Sequence, residues 1–103
     1  MNYQAELDDV RMDIQAVDFE LDQAEQQRIF QALAKLRRYY SGDVITADVY
    51  MKQEENHPTN EKTLRIRVGV PGKDAFAEDR GDAWAPLLKS VTEKLTRQLE
   101  KRK

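Results

Sequence analysis

The chain has no cysteine and a single histidine among its 103 residues. Those two scarcities remove much of the chemistry open to a small protein. Without cysteine there is no disulfide, no thiolate nucleophile and no thiolate metal site, which agrees with a reducing compartment. His57 stands between Asn56 and Pro58 in the most loop-like stretch, and nothing is spaced to converge on it as a metal ligand or an acid–base partner, so it reads as an exposed loop residue. Glycine is sparse and scattered (Gly42, Gly69, Gly72, Gly81), and none of these opens a phosphate-binding loop. The adjacent acids Asp8-Asp9 and Glu54-Glu55 would point to opposite faces of a strand, so neither pair makes the carboxylate couple used in hydrolysis. An enzyme is not expected, nor a cofactor, a metal or a small-molecule substrate. No apolar run approaches a membrane span, and the segment 1–9 lacks the basic start and apolar stretch of a secretory signal. The expected address is cytoplasmic, with no membrane partner.

What the chain does have is charge, arranged in blocks. Its composition, 40% hydrophobic and 35% charged, suits one folded, soluble domain. The formal net charge is −2, which by itself argues against a polyanionic partner. The distribution says otherwise. Residues 1–25 carry eight acids (Glu6, Asp8, Asp9, Asp13, Asp18, Glu20, Asp22, Glu25) against Arg11 alone, whereas residues 26–42 carry Arg28, Lys35, Arg37 and Arg38 and no acid. Residues 83–103 hold six bases against Glu93 and Glu100. Local field, not the total, decides what such a surface attracts.

Hydrophobic periodicity gives the elements. Val10, Met12, Ile14 and Ala16 alternate with polar residues, the period of a strand with one buried face. Asp22 can cap a helix over 23–40, whose Ile29, Phe30, Leu33, Leu36 and Tyr40 share a face, with Gly42 as the stop. Ile45, Ala47, Val49 and Met51 alternate again, 53–62 reads as a polar loop, and Leu64, Ile66, Val68 and Val70 complete a hairpin. Pro71-Gly72-Lys73-Asp74 is a turn, a short strand follows over 75–79, and Asp82 is positioned to cap a final helix in which Pro86 falls within the tolerant first turn. The prediction is an α+β domain of order β-α-β-β-β-α, a four-stranded sheet with both helices on one face. Residues 1–9 are an acidic extension and 10–103 a single domain.

At 100° per residue Trp84, Leu88, Val91, Leu95 and Leu99 fall within about 80° of one another, while Lys94, Arg97 and Lys101 share a strip to one side. A helix that buries its leucines would then show these three bases to solvent. Arg28, Lys35 and Arg38 lie off the apolar face of the first helix, so two basic rows can stand side by side on one surface suited to phosphates. Arg65 and Arg67 alternate with Leu64, Ile66 and Val68 and should occupy the opposite sheet face, where pairing with acids of neighbouring strands is the plainer reading. Trp84, Tyr39, Tyr40 and Phe76 are placed for core packing more than for base stacking.

The order β-α-β-β-β-α, with Ala34-Lys35-Leu36-Arg37-Arg38-Tyr39-Tyr40 ending the first helix, Val68-Gly69-Val70-Pro71-Gly72 closing the third strand and Lys94-Leu95-Thr96-Arg97-Gln98-Leu99-Glu100-Lys101 in the last helix, resembles the ribosome hibernation promoting factor family. Its members are also called ribosome-associated inhibitors or sigma-54 modulation proteins of S30AE type. The resemblance runs from about Val10 to the C-terminus and is to the short form, without the further dimerisation domain of long members. It implies a non-enzymatic translation inhibitor that binds the small ribosomal subunit and its 16S-type rRNA in the decoding region, covers the mRNA and tRNA sites, and silences or protects ribosomes under stress. On this likeness the rRNA-binding bases are Lys35, Arg38, Lys94, Arg97 and Lys101, with Arg28 and Arg37 as additional RNA contacts. Two alternatives stand beside it. A double-stranded RNA binder would need bases where Glu54-Glu55 and Asp79 to Asp82 stand, and a protein-interaction regulator of transcription would use the free sheet face around Tyr50, Arg65 and Arg67.

Overall fold

Strand β2 (Val10–Val17) forms where the alternation predicts it, with Val10, Met12, Ile14 and Ala16 all buried on one face. The chain leaves β2 through Asp18, whose φ of 68° is a left-handed conformation that aspartate tolerates better than most residues. Helix α1 (Gln23–Tyr39) then begins under its expected cap: Asp22 Oδ1 accepts the Glu25 amide at 2.8 Å. Ile29, Leu33 and Leu36 are buried from α1, and Phe30 and Ala32 pack beside them. The computed structural model describes residues 2–7, 10–39, 44, 46–54 and 61–101, with 2–7 and 39 as backbone only. The expected roles of Tyr40, Gly42, Ile45 and His57 lie outside the described residues.

Because α1 carries the chain back across the sheet, β3 (Thr46–Glu54) lies parallel to β2, with Ile14 opposite Val49. Strands β4 (Glu61–Gly69) and β5 (Ala75–Gly81) add antiparallel neighbours in sequence order, and α2 (Trp84–Glu100) closes the chain. The β3–β4 hairpin is longer than the sequence indicated. Its pairing reaches Glu54 opposite Glu61, so strand takes in residues 53–54 and 61–62 at the two ends of the segment expected to be a polar loop. Strand β5 likewise runs on to Gly81.

From β2 onward the order β-α-β-β-β-α is as expected, but the sheet has five strands, not four. Residues 2–7 form β1 (Asn2–Leu7), paired antiparallel with β2 from Asn2 opposite Gln15 to Leu7 opposite Val10. Residues 2–7 of the segment 1–9 expected as an acidic extension are thus an edge strand of the sheet. Its sequence held the signal: Tyr3, Ala5 and Leu7 alternate with Asn2, Gln4 and Glu6.

A second correction concerns α2. Asp82 is not its cap; the cap position is Ala83, extended at φ −144° and ψ 140°, with no side-chain cap bond. Asp82 instead offers its backbone carbonyl to Lys62 Nζ at 3.2 Å. Pro86, third in the helix, falls where its missing amide costs no intrahelical bond. Trp84 stacks on Phe19, ring centroids 5.3 Å apart and planes 21° from parallel, which ties the start of α2 to the β2–α1 connection.

The core lies between the sheet and both helices. Leu95 and Val91 of α2 and Ile66 of β4 have no exposed surface, and Leu87, Leu88 and Leu99 are buried with them. Replacing Leu95 by alanine removes the centre of this layer and should cost about 2–5 kcal/mol. Urea denaturation of the Leu95→Ala variant measures it; a loss under ~1 kcal/mol would mean that the helix does not rest on the sheet as described.

Candidate nucleic-acid interface

On the outer side of the helix layer, α1 and α2 leave an open groove of about 810 Å³. Its walls come from small or bent-back side chains. Ala32 and Ala85 let the helices approach, and Thr92 and Thr96 turn their hydroxyls into their own helix, donating to Leu88 O at 2.7 Å and Thr92 O at 2.8 Å. Satisfied in this way, the threonines show methyl groups to the groove. The rim is charged: Arg28 and Lys35 from α1, Lys89 and Arg97 from α2, with Glu93 and Glu100 among them. Arg28 is engaged with Glu25 one turn away. Lys35, Lys89 and Arg97 are exposed and make no ion pair among the described residues.

The residues expected to bind RNA do not all arrive here. Lys35 and Arg97 both line the groove, one from each helix. Arg38 and Lys101 are exposed beyond its lining. Arg37 is half-buried and turns the other way, beside Leu33, Val44 and Ala47. Lys89 was not singled out from the sequence, although it shares with Thr92 and Thr96 the i, i+3, i+7 spacing of one helical face.

Lys94 departs most from expectation. It is half-buried on the flank of α2 that meets β5, its Nζ donating to Glu78 O at 3.2 Å and lying 3.5 Å from Asp79 Oδ2. It belongs to a set. Gln98 accepts the Phe76 amide at 3.0 Å and donates to the Phe76 carbonyl at 2.5 Å, so its side-chain amide pairs with β5 as a neighbouring strand would. Ser90 donates to Asp79 Oδ2 at 2.5 Å, and Asp79 Oδ1 accepts the Arg80 amide at 2.9 Å. Four residues of helix advance about 6 Å and two of strand about 6.6 Å, which is why positions 90, 94 and 98 meet successive outward-facing groups of an edge strand. A helix flank seals an edge that would otherwise be open to pairing with another chain.

The opposite sheet face carries Arg65 and Arg67, as alternation requires, and both are exposed. Arg65 lies 3.4 Å from Glu78 Oε1 and 4.3 Å over the Tyr50 ring, so the expected pairing across the sheet is present. Phe76 is not a core residue: it is 42% exposed on this face, with the Arg67 guanidinium 5.7 Å above its ring. Among the described residues no group of three or more His, Cys, Asp or Glu side chains could hold a metal ion, and no helix is long and apolar enough to cross a membrane.

Comparison with known proteins agrees with this architecture. The family described as sigma 54 modulation protein / S30EA ribosomal protein matches residues 12–103, and the chain belongs to it. The fold is that of a solved structure titled Thermus thermophilus Protein Y N-terminal domain, with a TM-score of 0.71 at 19% identity over 87% of this chain and 98% of that one. A structure titled as a ribosomal subunit interface protein from Coxiella burnetii gives 0.69 at 17% identity, covering 86% and 94% respectively. No curated protein matches the sequence.

The Asp79 cluster sets a pH test. The Ser90 hydroxyl, first, then the Arg80 amide and Lys94 hold the Asp79 carboxyl below its ordinary value. A depressed folded pKa gives stability that is fully present above the unfolded carboxylate value of about 4 and lost as pH falls through the folded value. The Tm difference between the wild type and Asp79→Asn should therefore be largest near neutrality and shrink towards pH 2. A difference independent of pH would show that the carboxylate charge does not hold this edge.

Proposed function

We propose that this member of the sigma 54 modulation / S30EA family is a non-enzymatic ribosome ligand whose interhelical groove receives the rRNA of the small subunit. The observation that carries the reading is the trio Lys35, Lys89 and Arg97, exposed and without an ion pair among the described residues, on two helices fixed against one sheet. Unpaired surface cations give their full counterion-release contribution when they meet phosphates. Two rows on separate elements also fix how a ribose–phosphate strand lies between them, which a single row cannot do. The threonine methyls and alanines between the rows offer an apolar floor to the sugars. Lying in the decoding region, such a ligand excludes mRNA and tRNA by occupancy and needs no cofactor, so its place is the cytoplasm, with the ribosome.

In this assignment Lys35, Arg38, Arg97 and Lys101 contact rRNA together with Lys89 and, once released from Glu25, Arg28. Lys94 serves the interface indirectly, by holding α2 on β5 so that Arg97 is correctly aimed. Arg37 is withdrawn from it.

Sedimentation of the protein with purified small subunits, across a salt series, tests the reading. The Lys35→Ala/Arg97→Ala double variant should bind more weakly, with the log–log salt slope reduced in magnitude by about 1.5. Lys94→Met should lower Tm while leaving that slope unchanged. A folded double variant that binds as the wild type does would overturn the groove as the binding site. A slope reduced in Lys94→Met would return Lys94 to the set of phosphate ligands.

A further inference from the structure

The open sheet face holds charges that the monomer leaves unused. One row of side chains across it, set by strand register, reads Asp13, Asp48, Arg67, Phe76. Asp13 and Asp48 are direct neighbours on parallel strands, a like-charge pair that opposes folding. Arg67 stands directly opposite Asp48, yet its guanidinium is set over the Phe76 ring on the other side. None of Asp13, Asp48 and Arg67 makes an ion pair among the described residues. The next row is different: Arg65 is already satisfied by Glu78 and Tyr50. Within this row the charge is divided, carboxylates over β2 and β3, a guanidinium and an exposed aromatic ring over β4 and β5; elsewhere on the face Arg11 stands on β2, and Lys52, Glu61 and Glu78 are paired with Glu54, Arg80 and Arg65.

A row with opposite charges at its two ends complements itself under two-fold symmetry. We propose that the open sheet face binds a second copy of this chain, face to face, about a two-fold axis running along the strands between β3 and β4. That axis lays β3 of one copy over β4 of the other, so each Asp48 meets the other copy's Arg67, twice. An axis across the strands at this row would set Asp48 against Asp48, and the charge pattern rejects it. Packed sheets stand about 10 Å apart, a gap that a long arginine opposite a short aspartate fills. Nucleic acid fits this face poorly, because Asp13, Asp48 and Glu78 would all confront phosphates. The dimer leaves both interhelical grooves facing outward, so it is independent of how they are used.

Light scattering and sedimentation equilibrium of the full chain, from roughly 10 μM to 1 mM, should show a reversible monomer–dimer equilibrium. Adding salt to about 0.5 M should weaken it. Asp48→Arg and Arg67→Asp should each weaken association by about tenfold or more, and the double variant Asp48→Arg/Arg67→Asp, which exchanges the partners, should restore it. Circular dichroism and Tm confirm that each variant is folded; where reversal disturbs the fold, Arg67→Gln should weaken association in the same direction. A wild type that stays monomeric at about 1 mM in low salt overturns the proposal. So does a folded double variant that fails to recover, or an oligouridylate that shifts the NMR signals of Arg67 and Phe76 in a monomer.

Discussion

The exposed backbone of β5 is the constraint on which the rest of the molecule turns. An edge strand presents outward amides and carbonyls every second residue, and here they are met by Gln98, Lys94 and the Asp79 carboxyl, which Ser90 holds in turn. These contacts fix the rotation of α2 about its own axis. With 90, 94 and 98 turned to the strand and 87, 88, 91, 95 and 99 turned to the core, positions 89, 92 and 96 have only the side facing α1 left. The groove and the aim of its bases follow from the way an edge strand is closed.

Much of this was legible in the sequence. Period-two alternation located β2, β3 and β4, because each buries one face against helices; the turn over 71–74 placed β5 after them, and Asp22 caps α1 as capping chemistry predicts. The departures have separate physical causes. Helical periodicity separates apolar from polar positions but does not say which polar flank meets a neighbouring element, so Lys94 was placed with Arg97 and Lys101 although it is half-buried against β5. Lys89 was overlooked for the mirror-image reason. Strand β1 holds a single acid, Glu6, but Asp8 and Asp9 directly after it give the segment 1–9 an acidic character that masks its alternation; Phe76 was assigned to the core because an aromatic residue on a strand usually packs, whereas its register puts it on the open face beside Arg67.

The two faces use charge in different ways, and the net charge of −2 describes neither. On the helix side Lys35, Lys89 and Arg97, without an ion pair among the described residues, stand around a groove that also holds Glu93 and Glu100, the arrangement proposed to receive a flexible polyanion. On the sheet side Arg65 is paired with Glu78 and Arg80 with Glu61, which leaves a balanced, divided surface that favours a rigid and complementary one. Exposed pairs of this kind contribute little to stability. Their effect is to neutralise those charges locally on the sheet face.

The most direct measurement is a cryo-electron microscopy map of the small ribosomal subunit saturated with this protein. The account predicts density with the groove between α1 and α2 against an rRNA backbone in the decoding region, Lys35 and Arg97 reaching phosphates from opposite walls, Lys94 still on β5, and the sheet face turned away from RNA. Density with Arg65, Arg67 and Phe76 against rRNA and the interhelical groove open to solvent would contradict it.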